Sequence, residues 1–225
     1  MLFDASAFKA ILNEEFSMAL RGKTLINTSS VPVDFSQKLA SFVYKAGGDF
    51  IEMPVSGSKV PAEQGKLVGM MAGDRDVAER IRPLVEPLTA AAVYCGPIGS
   101  GLKTKYAVNL YLIAITAGLA ESVNLARAQG LDLEAFGQVL SASQLASSYS
   151  NIKVPKILNE DWSTQASVND CYNSAMLIRS AAQSVGAWSP ITEVCLSLYR
   201  QAQESGLGEE DLIAISKLYP ESPVP

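Results

Sequence analysis

Gly99-Ser100-Gly101-Leu102-Lys103-Thr104-Lys105-Tyr106-Ala107-Val108-Asn109 runs without a break into Leu110-Tyr111-Leu112-Ile113-Ala114-Ile115. Two glycines open a long apolar helix, and Lys105 and Asn109, four positions apart, share one of its faces. A lysine in such a setting has two readings. Either it snorkels from the rim of a buried helix, or it is desolvated. Desolvation disfavours the charged form and moves the pKa toward neutrality, where a lysine can exchange protons. Spacing alone favours the first reading.

Before this run the chain alternates between strand-like and helix-like segments. Ser6 to Leu20 repeats apolar residues at helical spacing, and Thr24-Leu25-Ile26-Asn27 is a short strand ending in the polar run Thr28-Ser29-Ser30. Pro32 opens a helix that Gly47 or Gly48 can end in the left-handed conformation. Strands follow at Phe50–Met53, Leu67–Ala72 and Ala92–Cys95, with a helix from Asp74 through Leu84 before the last. This order builds a mostly parallel, doubly wound sheet. After Gly96 the strand pattern stops. Helices are expected over Leu102–Gln129, after the capping residue Asp132, and over Ser147–Leu158, Gln165–Val185, Pro190–Gln203 and Glu209–Leu218. The fold class is therefore a partial Rossmann-like α/β domain, residues 1–98, joined by a long helix to an all-α domain, residues 99–225. The Pro-rich end from Pro220 reads as a frayed tail.

Composition narrows the chemistry. Hydrophobic residues make up 48% and charged residues 18% of the 225 residues, as in a globular protein with a substantial core. A net charge of −5 without a basic cluster argues against nucleic acid or an anionic membrane as partner. The apolar run Tyr106–Ala120 reads as too short and too polar for a membrane span, and no secretory signal is visible at the N-terminus. Cys95, Cys171 and Cys195 are widely spaced and odd in number, which suits free thiols in a reducing, cytoplasmic compartment. Because the chain has no histidine, Ser-His-Asp and Cys-His mechanisms are excluded and no imidazole is available to a zinc site. Proton transfer near neutral pH falls to a lysine, carboxylate, cysteine or tyrosine.

Four segments, Ile26-Asn27-Thr28-Ser29-Ser30-Val31-Pro32, Met53-Pro54-Val55-Ser56-Gly57-Ser58, Gly99 to Asn109, and Gly206-Leu207-Gly208-Glu209-Glu210-Asp211, resemble in order and spacing the 3-hydroxyisobutyrate dehydrogenase and related β-hydroxyacid dehydrogenase family. The resemblance covers essentially the whole chain. It implies a catalytic proton donor or acceptor at Lys105, with Asn109 holding substrate and lysine in place. It implies that Ser56, Gly57 and Ser58 bind the substrate carboxylate, for which hydroxyl and backbone N–H groups are suited because they carry no competing charge. Thr28, Ser29 and Ser30 would lie beside NAD or NADP. The implied partners are a small hydroxy acid or semialdehyde and a second copy of the chain, as a homodimer.

Two departures from the family pattern stand out. Asn169-Asp170 replaces a Lys-Asp pair, so Asn169 is a doubtful cofactor contact. The strand–G-x-G-x-x-G–helix unit that seats a pyrophosphate, and the ribose-reading residue ~20 positions later, are also missing. Gly99-Ser100-Gly101 starts like that motif but has Thr104 where the third glycine belongs. The family pattern is joined about two βαβ units of ~30 residues late. The chain thus reads as N-terminally truncated, with impaired dinucleotide binding. Imine reductases are the nearest alternative enzymes, although that branch commonly has aspartate or tyrosine at the position of Lys105. From another class, the alternative is a non-catalytic remnant serving as an oligomerisation or interaction module.

Overall fold

The structure, a computed structural model, describes residues 12–219. Residues 6–11 of the expected first helix and the tail from Pro220 lie outside the described residues. The chain divides into two compact units, Met1–Val108 and Asn109–Pro225.

In the first unit, α1 (Glu14–Ala19) is followed by β1 (Thr24–Asn27), α2 (Val33–Lys45) and β2 (Asp49–Glu52). β1 and β2 pair in parallel, from Thr24 opposite Asp49 to Asn27 opposite Glu52. Pro32 precedes α2, where its fixed φ suits a helix start and its missing N–H costs little. Gly47, at φ 79°, supplies the left-handed stop.

Past Pro54 the chain continues as β3 (Val55–Ser56) and α3 (Lys59–Glu63), then returns as β4 (Leu67–Gly73). β4 is antiparallel to both β2 and β3, with Ile51 opposite Gly73 and Val55 opposite Gly69. β5 (Thr89–Gly96) lies parallel to the other side of β4, after the crossover helix α4 (Arg75–Val85). Parallel pairing dominates the sheet, but the reversal at β4 departs from the doubly wound order expected from sequence. β3 and α3, two and five residues long, are too short for periodicity to register. The Asp74 carboxylate caps α4, accepting the Val77 N–H at 3.0 Å. The helix presses Val77, Ala78, Ile81 and Val85 onto Ile51, Met53 and Met71 of the sheet.

The long helix α5 (Ser100–Ala128) starts in the first unit and ends in the second. By length and composition alone it is apolar enough to cross a membrane, contrary to the expectation drawn from Tyr106–Ala120. In the protein it is a core helix, with Leu102, Ile113, Thr116 and Ala120 buried. The second unit continues with α6 (Leu133–Ala142), α7 (Ser148–Leu158), α8 (Val168–Ser184) and α9 (Pro190–Glu204). Asp132, Ser147 and Ser167 cap the first three of these. The helix expected over Glu209–Leu218 is instead a 3₁₀ turn, Leu212–Leu218. Its four residues Leu212 to Ile215 are all buried, which the single apolar stripe of an amphipathic α-helix does not achieve.

Candidate active site

The base of the site is a carboxylate on β2. Glu52 is fully buried, and its two oxygens accept the Gly99 N–H at 3.2 and 3.1 Å, the Leu102 N–H at 2.9 Å and the Ser36 hydroxyl at 2.5 Å. The first N–H groups of a helix have no partner within it and carry partial positive charge, so an anion there satisfies both needs. The glycines serve this seating. Gly99 stands at φ 97°, and a Cβ on Gly101 would lie 2.4 Å from the Met70 carbonyl oxygen and 3.3 Å from Pro54 Cδ. Gly99-Ser100-Gly101 therefore brings α5 down onto the sheet. Its Gly99 N–H is taken by Glu52 and its Ser100 N–H by the Pro97 carbonyl, so neither is turned toward a pyrophosphate.

One turn further along, Tyr106 is buried and donates its hydroxyl to the Val31 carbonyl at 2.7 Å. Burial first, and the Glu52 charge second, raise the phenol's pKa above its ordinary value, so it stays a proton donor in this bond. The bond ties α5, one residue past Lys105, to the loop after β1. Lys105 itself is half-buried. Asn109 follows at helical spacing with only 9% of its surface exposed. Its Nδ2 donates to Ser174 Oγ at 3.2 Å, and its buried Oδ1 has no partner among the described residues.

In the loop after β1, Asn27 Oδ1 accepts the Ser29 N–H at 3.1 Å, while the buried Asn27 Nδ2 has no partner among the described residues. Thr28 is half-buried, Ser29 fully buried and Ser30 exposed, so Ser29 is the member of the trio turned inward. Ser56 ends β3 opposite Val68, and Ser58 precedes α3 with no side-chain capping bond. Between them Gly57 has φ 130°, and a Cβ there would stand 2.7 Å from Leu67 Cδ2, so the turn depends on glycine.

Asn169 belongs to the second unit and is held there. Its Nδ2 donates to Glu209 Oε1 at 2.8 Å, its Oδ1 accepts from Gln203, and its N–H donates to the Gly208 carbonyl at 3.0 Å. The amide thus fixes the 206–210 loop. The structure brings the start of α5, the 28–31 loop and the 52–54 segment leading to Ser56 against one another, all within the first unit.

Residues 1–96 match the family described as the NAD binding domain of 6-phosphogluconate dehydrogenase, and residues 99–219 match that described as NAD-binding of NADP-dependent 3-hydroxyisobutyrate dehydrogenase. The chain belongs to the 3-hydroxyisobutyrate dehydrogenase family. It is 30% identical over 194 residues to the chloroplastic glyoxylate/succinic semialdehyde reductase 2 of Arabidopsis thaliana, an alignment covering 86% of this chain and 54% of that protein. The chain thus spans about half the length of that relative. It is also 26% identical over 198 residues to the cytokine-like nuclear factor N-PAC of Gallus gallus, covering 88% of this chain and 36% of that one. A 3-hydroxyisobutyrate dehydrogenase from Salmonella typhimurium shares the fold, with a TM-score of 0.88 at 20% identity over 97% of this chain and 77% of the other.

Members of this family are NAD(P)-dependent oxidoreductases. In the loop after β1, Thr28 and Ser30 carry uncharged hydroxyls, and Nδ2 of the preceding Asn27 is without a partner among the described residues. Sequence reading did not single out Glu52, Ser36 or Tyr106. For Glu52 a signal existed, since a glutamate between Ile51 and Met53 in an otherwise apolar strand must be buried with partners or not be in a strand.

Proposed function

We propose that the chain carries the substrate-side active site of an NAD(P)-dependent oxidoreductase, in which hydride passes between a nicotinamide and a small 3-hydroxy acid or semialdehyde. The observation that carries this reading is the placement of Lys105 on a glycine-seated helix, one turn before the buried Asn109. Bound nicotinamide supplies hydride in reduction and accepts it in oxidation. Lys105 Nζ gives a proton to the substrate oxygen in reduction and takes it back in oxidation, while the unpartnered Asn109 Oδ1 orients the ammonium or the substrate hydroxyl. Ser56, Gly57 and Ser58 hold the carboxylate with hydroxyl and backbone donors. Thr28, Ser29 and Ser30 border the nicotinamide. Asn169 would reach a cofactor only after releasing Gln203 or Glu209.

The functional boundary is placed at 98/99. Pairing of helical domains into a homodimer and a cytoplasmic location, in keeping with three free cysteines, complete the proposal. The test follows absorbance of NADPH and NADH with glyoxylate, succinic semialdehyde and, as a control, a cyclic imine. The expected result, with the weak dinucleotide binding that a missing G-x-G-x-x-G unit implies, is slow oxidation with an aldehyde substrate at high cofactor concentration and none with the imine. Turnover of the imine alone would assign imine reduction instead. No turnover, together with no dinucleotide binding by calorimetry, would support the non-catalytic interaction module.

A further inference from the structure

Glu52 is hydrogen-bonded to two elements that flank the proposed site in the first unit, α2 and the start of α5. Ser36, which donates to it, is on α2 directly after the 28–31 loop. Gly99 and Leu102, which donate to it, begin α5, and Leu102 is three residues before Lys105. Glu52 itself lies four residues before Ser56.

All of this is done by a completely buried carboxylate that no lysine or arginine pairs with among the described residues. Ending a helix does not require a charge, because serine, threonine or asparagine caps one with less to desolvate. A charge kept under these conditions points to a task that a neutral cap cannot perform. The N-terminus of a helix carries roughly half a positive charge. Leu102 and Lys105 are separated along the axis by about 4.5 Å, at ~1.5 Å of rise per residue. A carboxylate at Leu102 N–H therefore offsets the partial positive charge of the helix end one turn before the lysine.

We propose that Glu52 is a positioning residue of this site: its carboxylate sets α5, and with it Lys105, in register with the 28–31 loop and the Ser56–Gly57 turn, and supplies the negative charge at the helix end one turn before Lys105. The proposal rests on Lys105 as the proton carrier. Its test therefore reads the lysine directly as well as through turnover.

In the full chain, lysines are reductively methylated with ¹³C-formaldehyde, and the Lys105 signal is identified by its loss in Lys105→Arg. Glu52→Gln keeps the geometry available: the amide oxygen can still accept from Leu102 and Gly99, and the amide N–H can donate to Ser36 Oγ. The expected result is a displaced Lys105 signal with the exposed Lys103 signal unmoved, and a kcat at least tenfold lower with KM changed less than twofold. Glu52→Asp, which restores the charge on a shorter stem, should bring the signal and kcat part of the way back. Ser36→Ala removes one bond to the same carboxylate and should move the Lys105 signal less, in the same direction; it decides the matter if Glu52→Gln does not fold. A folded Glu52→Gln or Ser36→Ala chain with the Lys105 signal in its original place overturns the proposal. If the unsubstituted chain turns over none of the substrates, the oxidoreductase reading fails while the Lys105 signal still decides the role of Glu52.

Discussion

Among the described residues each of the two units buries one carboxylate completely, and they satisfy it in opposite ways. In the helical unit, Asp211 meets Lys153 Nζ at 2.7 and 2.9 Å and accepts the Gln165 and Ile213 N–H groups, and Lys153 is itself 3% exposed. That arrangement is neutral and closed. In the sheet unit, Glu52 has hydrogen-bond donors but, among the described residues, no cation; the donors are Ser36 on α2 and the Gly99 and Leu102 N–H groups at the start of the helix that bears Lys105. Burying an ion costs several kcal/mol even after relaxation, and a partner's charge or a set of charge-assisted hydrogen bonds must offset it. The first solution makes a structural tie. The second ties the start of the Lys105-bearing helix to the sheet through backbone N–H groups.

The largest effect that would test this contrast comes from the closed pair. Asp211→Ala strands Lys153 in the helical core and should cost about 3–5 kcal/mol in denaturant unfolding, whereas the double change Lys153→Met with Asp211→Leu should recover most of that loss. A double variant as unstable as the single one would mean that Asp211 matters for its backbone N–H partners and not for its charge.

Next in size is Gly101→Ala, which puts a methyl group 2.4 Å from the Met70 carbonyl oxygen, a backbone atom with little room to yield. Overpacking of this kind costs about 1–3 kcal/mol, and the loss should appear in the sheet unit together with weakened protection of the Leu102 amide in hydrogen exchange. An unchanged amide would show that Glu52 holds the helix end without the close seating.

Near neutral pH the smallest effect is one that grows only as the solution turns alkaline. Burial pushes the Cys171 thiol up to about 12 from an ordinary 9, and it raises the Tyr149 and Tyr199 phenols as well. The folded state therefore keeps a proton that the unfolded chain releases. That stability is fully present below about pH 9 and declines as pH rises toward 12, by at most about 1.4 kcal/mol per pH unit for the thiol. Trp162 and Trp188 both lie in the helical unit, so tryptophan fluorescence reports its alkaline unfolding. Cys171→Ala should flatten the decline between pH 9 and 12, and an unchanged slope would leave the tyrosines as its cause.

Legibility in the sequence followed the same divide between regular and irregular. The long helix, its glycine start, the helix start at Asp74, the Asp132 cap and most of the helices could be read because periodicity and capping act over many neighbouring residues. β3, α3 and the reversal at β4 could not, because two-residue and five-residue elements carry no period and strand direction is set by pairing far along the chain. The 3₁₀ turn at Leu212 was read as an ordinary helix because nothing local to it reveals that Lys153 draws Asp211 inward. Among the site segments, Gly99–Asn109 was visible as a motif. Glu52 was not, since its meaning depends on Gly99 and Leu102, some fifty positions away.

The most direct test is a pair of substitutions two residues apart on α5. Lys105→Ala should lower kcat for the NADPH-dependent reduction of succinic semialdehyde by about two to four orders of magnitude, as expected for a lost proton donor, without unfolding the chain. Lys103→Ala, exposed on another face of the helix, should change it little. Equal losses in the two variants, or an undiminished rate with Lys105→Ala, would contradict the assignment of proton transfer to Lys105.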